Sequence, residues 1–487
     1  MGMTGPRGVI LRDGLILLLC ALVLRWAAFG DPNLHQDEAF YLLVGQAMHH
    51  GAVPYIDIWD RKPFGLFALY WAIAGISANV WCYQLVATAS AVATAMVLAQ
   101  IARRWVGGWA PLMSGIAYLA QLHPLLGMGG QSPVFYNLPM VGAALLLIGG
   151  WTGSDASAFR RRYLWAMALC GLALTIKQTT LFEGIAFGLA GGWWLHRSEQ
   201  SLGRTASDAA LAMIIAVLPT AAIGCWYAAH GFWPEWWNAM ATSNAKREGL
   251  GILLVAHNIY AITRLLLVYI GLVAIGLAAQ RHAPAFRAYR GFMVWWLAVA
   301  VLGFLTMPNF FAHYALPLLV PMTPIVAIAL SRPLLGPALL ALSTLIAVIL
   351  GRPFDFAHHR ASVQGFAEMT AVIERYRGDR GLVLLSGPVL LYPATNSRPL
   401  SPLVFPEHLA NHLERDVSHL STRAQLLRIV AARPAIIVIR AEIEAPQRGD
   451  PVMPLLRYMH DNCRVVWSGP VYEPRTVEFP ALIYACR

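Results

Sequence analysis

The 487-residue sequence predicts a polytopic α-helical membrane protein carrying a small α/β domain at its C-terminal end. Three observations predict it. Hydrophobic residues make up 58% of the chain and charged residues only 13%, far from the balance of a soluble domain. Apolar windows near the roughly 20 residues that a bilayer crossing needs recur along the first 350 positions. From residue 352 onward the pattern changes to short apolar runs among charges of both signs, without a single lysine.

The first run, 9–29, has no small-residue cleavage site and leads straight into "DPNLHQDEAF", so it reads as a retained helix and not as a removed signal peptide. Further spans are expected at 81–102, 109–126, 133–150, 163–179, 180–195, 209–229, 253–279, 291–307, 314–330 and 334–350. The runs 163–179 and 180–195 are each short, which suits either a tilted pair or a broken hairpin. The stretch 63–80 is also apolar, and charge decides its place. With Arg7 and Arg12 in the cytoplasm, alternate threading keeps Arg103, Arg104, Arg160–Arg162, Arg197, Arg204, Arg281, Arg287, Arg290 and Arg332 inside. Counting 63–80 as a span would expel Arg103 and Arg104, so it is placed along the interface. An odd number of spans, about 11–13, puts residues 352–487 on the outer face.

In that last region "GLVLLS" and "PAIIVIR" read as buried strands, while "QGFAEMTAVIERY" and "RAQLLRIVAA" read as amphipathic helices. The stretches "CRVVWSGPVY" and "VEFPALIYAC" read as a hairpin turning at "EPRT". With Pro474-Arg475 at its centre, Cys463 and Cys486 fall opposite each other, within disulfide range. Pro480 stands against this register. Cys20, Cys82, Cys170 and Cys225 lie singly in apolar runs as packing residues. No CxxC or Cys/His spacing points to a metal.

The net charge of +11 is almost wholly arginine, with lysine only at 62, 177 and 246. No basic stretch is interleaved with aromatics, so the charge signifies inner loops and not nucleic-acid binding. Asp37, Glu38, Asp57, Asp60, Arg61 and Lys62 crowd one outer loop, 30–62. The threading brings Lys177 and Gln178, the loop "GFWPEWWNAMATSNAKRE" and His313 to the same face. Ionisable groups at membrane depth are functional candidates. Simpler roles exist for each. Asp37 could N-cap the helix "EAFYLLVGQAM", Arg61 and Lys62 could anchor at headgroups, and His313 could be a buried, hydrogen-bonded core residue. The tryptophans at 233–237 suit an aromatic belt. The chemistry that wants the whole set is group transfer from a lipid phosphate. A carboxylate pair serves as base toward a hydroxyl, and Lys and Arg hold the phosphate.

"HQDEAFYLLVGQAMHHGAVPYIDIWDRKPFGLFALYW" resembles the first outer loop of membrane glycosyltransferases of the GT-C class. It is similar to the superfamily of bacterial protein O-mannosyltransferases and aminoarabinose transferases. The shared pattern is Asp37-Glu38 followed by an aromatic, then Gln46-Ala47-Met48 through Gly51, then Arg61-Lys62-Pro63. "FFAHYALPLLVP" and "LALTIKQTTLFEG" also look like family segments. The likeness spans about residues 9–350. It implies a GT-C domain at 1–351, whose loop 30–80 carries the active site, and an extracytoplasmic domain at 352–487. It further implies transfer of a sugar from a polyprenyl-phosphate donor, with Asp37 as the catalytic acidic residue and Lys62 as the phosphate contact. Many relatives carry a further acidic residue where "GGQSPVFYNLP" here offers neutral Gln131, Ser132 and Asn137.

The expectation is therefore an inverting hexosyl- or pentosyltransferase of the cytoplasmic membrane. Its partners are the lipid-linked sugar, membrane lipids and a hydroxyl acceptor, with no nucleic acid. Asp37 and Glu38 are the catalytic candidates. Tyr55, Asp57, Asp60, Arg61, Lys62, Lys177, Gln178 and His313 are the substrate-binding candidates. No cofactor is assigned, and a divalent metal is left open without any assigned ligand. A transporter or lipid flippase is the rival reading, since it too needs charge in the membrane, although the chain lacks the internal repeats common among transporters.

Overall fold

The computed structural model describes the chain except residues 1–5, 154, 199–200, 247–248, 308, 379, 442–449 and 474–476. Each expected span is a helix. They are α1 (Pro6–Leu24), then, after the loop helices α2 (Gln36–His49) and α3 (Phe64–Ile76), α4 (Val80–Ala102), α5 (Ala110–Leu122), α6 (Ser132–Gly150), α7 (Ala156–Ile176), α8 (Thr180–Arg197) and α9 (Leu202–Ala229). The short helices α10 (Trp233–Trp237) and α11 (Ser243–Lys246) precede α12 (Ile252–Ala278), α13 (Phe286–Leu305), α14 (Leu319–Leu330) and α15 (Leu335–Gly351). Among the described residues, seven helices are long and apolar enough to cross a membrane. These are α4, α6, α9, α12, α13, α14 with its leading turn, and α15 with its continuation. Of the other four expected spans, α1 and α7 carry arginines in their first two turns, α8 holds Glu183 and ends on Arg197, and α5 has only 13 residues, stopping before Pro124. The ambiguous stretch after Tyr163 resolves into two separate helices, α7 and α8, joined by residues 177–179. At 13 residues α3 is too short to span.

The chain forms two compact units, divided within α4 and α9: residues 1–26, 85–223 and 250–354 make one, and residues 27–84, 224–249 and 355–487 make the other. In the first unit, α14 is buried along its whole length and supplies the core. Helices approach closely where a side chain is missing. A Cβ on Gly171 of α7 would lie 2.5 Å from the Ala216 carbonyl oxygen of α9.

The second unit joins the charged loop to the C-terminal residues. Helix α16 (Phe356–Tyr376) leads to β1 (Leu382–Leu384), the short α17 (Leu391–Ala394) and α18 (Glu407–Ala410), then α19 (Thr422–Ala431) and β2 (Ile436–Arg440). After these come α20 (Met453–Asn462), β3 (Cys463–Glu473) and β4 (Val477–Cys486). The sheet order is β1-β2-β4-β3, with β1 parallel to β2 and the remaining pairs antiparallel. Cys463 pairs with Cys486 in the register, and the two form the expected disulfide. The hairpin centre assigned to Pro474-Arg475 lies outside the described residues. Glu473 pairs with Val477, half a residue away from that symmetry, and a bulge between Val465 and Trp467 absorbs the difference. Pro480 pairs with Pro470 without interrupting the ladder.

Candidate active site

His35 is extended and caps α2, its Nδ1 accepting the Asp37 N–H at 3.2 Å. Asp37 is thus not the N-cap, which corrects that simpler reading. It lies with Glu38 in the first turn, where a carboxylate meets the positive end of the helix dipole. An imidazole nitrogen serves here as the acceptor usually drawn from Ser, Thr, Asp or Asn. Glu38 turns inward and is fully buried, beside the hydroxyls of Tyr70 and Tyr83. Helices α2 and α3 can pack this tightly because position 45 is glycine: a Cβ there would lie 2.6 Å from the Tyr70 backbone. Tyr41 fills the contact edge-on to Tyr70, centroids 5.4 Å apart.

Residues 53–62 form a self-bonded loop. Asp57 accepts the Val53 N–H at 2.7 Å, and the Tyr55 N–H donates to the Ile58 carbonyl at 2.7 Å. Tyr55 takes the left-handed conformation, φ 73°, and its hydroxyl donates to the Lys62 carbonyl at 2.9 Å. Asp57 and Tyr55 therefore shape the loop that presents Lys62. The Lys62 ammonium lies 3.8 Å from an Asp37 oxygen and 3.8 Å from an Asp60 oxygen, with the Tyr41 ring centroid at 5.3 Å. Arg61 points elsewhere and pairs with Glu414, while its N–H donates to Asp60. The result is one ammonium flanked by two carboxylates, all largely buried. Burial, more than the nearby Lys62 charge, pushes the His35 imidazole below its ordinary range, and the Asp37 carboxylate opposes this.

The other three candidates belong to the first unit. Lys177 ends α7, where a cation meets the negative end of the helix. Its ammonium lies 5.4 Å from the Tyr314 ring centroid. It lines a cavity of about 450 Å³, counting its open mouth, with Ser132, Tyr136, Glu183, Phe304 and Tyr314. Gln178 follows it, half-buried. His313 is buried, edge-on to Tyr314 at 4.5 Å. The seven loop candidates, Asp37, Glu38, Tyr55, Asp57, Asp60, Arg61 and Lys62, belong to the second unit.

The sequence reading missed three residues. The part His35 plays has no sign in the sequence, because histidine is an unusual cap. Glu183, whose Oε1 accepts the Trp296 indole N–H at 2.6 Å, had a signal: a carboxylate inside the apolar run "TTLFEGIAF". Glu414 had none, since it lies 353 positions from its partner. Among the described residues no three His, Cys, Asp or Glu side chains converge as metal ligands.

No family model matches the sequence, and no curated protein matches it. Solved structures do match. ArnT from Cupriavidus metallidurans bound to undecaprenyl phosphate superposes with a TM-score of 0.65 at 14% identity, covering 98% of both chains. The same protein in the apo state gives 0.64 at 14% identity, covering 97% of both. The chain accordingly shares the fold of ArnT, with apolar helices long enough to cross a membrane and a small C-terminal sheet domain.

Proposed function

We propose that this protein transfers a sugar from a polyprenyl-phosphate donor to a hydroxyl acceptor, with inversion, at the outer face of the cytoplasmic membrane. The observation that carries the reading is Lys62 held between Asp37 and Asp60 at the start of α2. It is supported by a fold shared with a structure that holds undecaprenyl phosphate.

In the reaction, Asp37 takes the proton of the acceptor hydroxyl as its oxygen attacks the anomeric carbon. The bond from that carbon to the phosphate oxygen breaks, and the lipid phosphate leaves with both electrons. Lys62 stabilises the charge that develops there. A single displacement inverts the anomeric centre. Asp60 holds Lys62 in place, and Glu38 anchors α2 through its burial between the helices. Lys177, Gln178 and His313 are proposed as polar substrate contacts within the first unit.

The test is incubation of purified protein with a panel of labelled polyprenyl-phosphate sugars and with lipid, glycan and protein acceptors. Release of polyprenyl phosphate together with an inverted glycosidic product supports the reading. Movement of intact lipid-linked sugar across proteoliposomes, with no bond cleavage, would replace it with a flippase.

A further inference from the structure

Arg61 and Lys62 are adjacent cations, yet they have different partners. Lys62 faces Asp37 and Asp60, whereas Arg61 pairs with Glu414. The Arg61 and Glu414 side chains are only 12% and 7% exposed, so the pair is nearly dry. It does not stand alone. The Trp59 N–H donates to the Pro402 carbonyl at 2.9 Å, and the Trp59 ring meets His408 edge-on at 4.7 Å. Phe40 of α2 packs edge-on against Phe405 at 5.1 Å. Residues 402–414 thus hold both strips of chain that bear the charged cluster. Glu414 is itself well seated, in a single turn at His412–Glu414. The Asn411 side chain accepts the Leu413 N–H at 3.0 Å there and donates to Glu407 at 2.8 Å.

From this we infer that Glu414 is a positioning residue for the phosphate-binding lysine. It binds the Arg61 guanidinium and keeps it from competing for Asp60 and Asp37, so that Lys62 is the cation presented to the donor phosphate. The electrostatic reason is short range. Two cations on neighbouring residues compete for the same carboxylates, and a buried guanidinium that loses its anion seeks another. The role given to Lys62 rests on the proposed transfer reaction; the tie between Glu414 and the loop does not.

The experiment has two readouts on Glu414→Gln, Arg61→Gln and the double variant, each purified in detergent. The first is backbone hydrogen exchange of peptides covering residues 56–62. It should quicken roughly tenfold in Glu414→Gln, because removing one member of a buried pair costs more than removing both. In the double variant most of the protection should return. The second readout is sugar transfer, which should follow the same order: lowest in Glu414→Gln and higher in the double variant. Should Glu414→Gln not fold, Glu414→Asp keeps the charge one methylene short, and intermediate exchange is expected. Unchanged exchange in a folded Glu414 variant would overturn the inference. So would a double variant no better than Glu414→Gln. Because exchange is read without any substrate, its failure is distinguishable from failure to find a sugar donor.

Discussion

Asp37→Asn separates chemistry from helix stability, because His35 and not Asp37 supplies the cap of α2. Asparagine keeps the size but cannot take a proton. Transfer should fall by roughly 10²–10⁴-fold, the usual contribution of a positioned base. Losing one carboxylate from the first turn should cost under about 1 kcal/mol of stability. Wild-type turnover by folded Asp37→Asn would remove Asp37 from the mechanism. Lys62→Ala should weaken donor binding as well as turnover, since its contact exists before and during the reaction. A titration of labelled lipid donor against the variant checks this, and unaltered affinity would argue against a phosphate contact.

His35 gives a pH prediction at the same scale. Its imidazole is held below the ordinary value of 6.5, chiefly by burial. Between that lowered value and 6.5 the unfolded chain binds more protons than the folded one. Stability carried by this group is therefore present above pH 6.5 and is lost as pH falls through the window. Protonation at Nδ1 would also remove the acceptor that caps α2. His35→Asn keeps a cap and does not titrate, so its melting temperature should vary less between pH 7.5 and pH 5 than that of the wild type. His419, likewise lowered by burial, shifts both proteins equally and drops out of the comparison. Asp31, raised by burial, acts in the opposite direction and also cancels. Identical pH profiles would show that His35 titrates alike in the folded and unfolded chain, and would remove the shift.

The element with the most to lose is the terminal hairpin. Its disulfide closes a loop with a sequence separation of 23. By loop-closure entropy the bond contributes about 3 kcal/mol. Cys463→Ser should lower the thermal midpoint of the sheet domain, and non-reduced protein should show no alkylation of either C-terminal cysteine by intact mass. Two alkylatable thiols in freshly extracted protein would mean that the bond does not form in the cell. The bulge between Val465 and Trp467 shows how the element reaches its register. One extra residue on β3 lets the cysteines stay opposed although Glu473 pairs with Val477.

At the scale of the whole molecule, the arginines of the short loops predict a cytoplasmic N-terminus and an outer location for both the charged loop and residues 352–487. His50 and His460 are exposed. Cysteines placed there singly, in a background without native reactive thiols, should react with an impermeant reagent in intact cells. Gln447, another labelling position within residues 352–487, lies outside the described residues. Protection of both positions until the membrane is permeabilised would invert the topology.

Sequence alone determined which stretches become helices, because helix formation in a bilayer depends on local apolar length and on the placement of arginine, both visible in the chain. It also determined the strands and the opposed cysteines, and it marked the Asp37 and Lys62 loop as a concentration of charge, since each rests on spacing within a few dozen residues. Folding decided the rest. Grouping of residues 27–84 and 224–249 with 355–487, instead of with the helices beside them in sequence, follows from packing across hundreds of positions. The cap on α2 went to a histidine because an extended backbone aimed its nitrogen at the Asp37 N–H, a geometry that residue preferences do not encode. Arg61 and Lys62 read alike in the sequence. Their partners differ because a carboxylate 353 positions away reaches only one of them, and ion pairing is decided by distance in space, not along the chain.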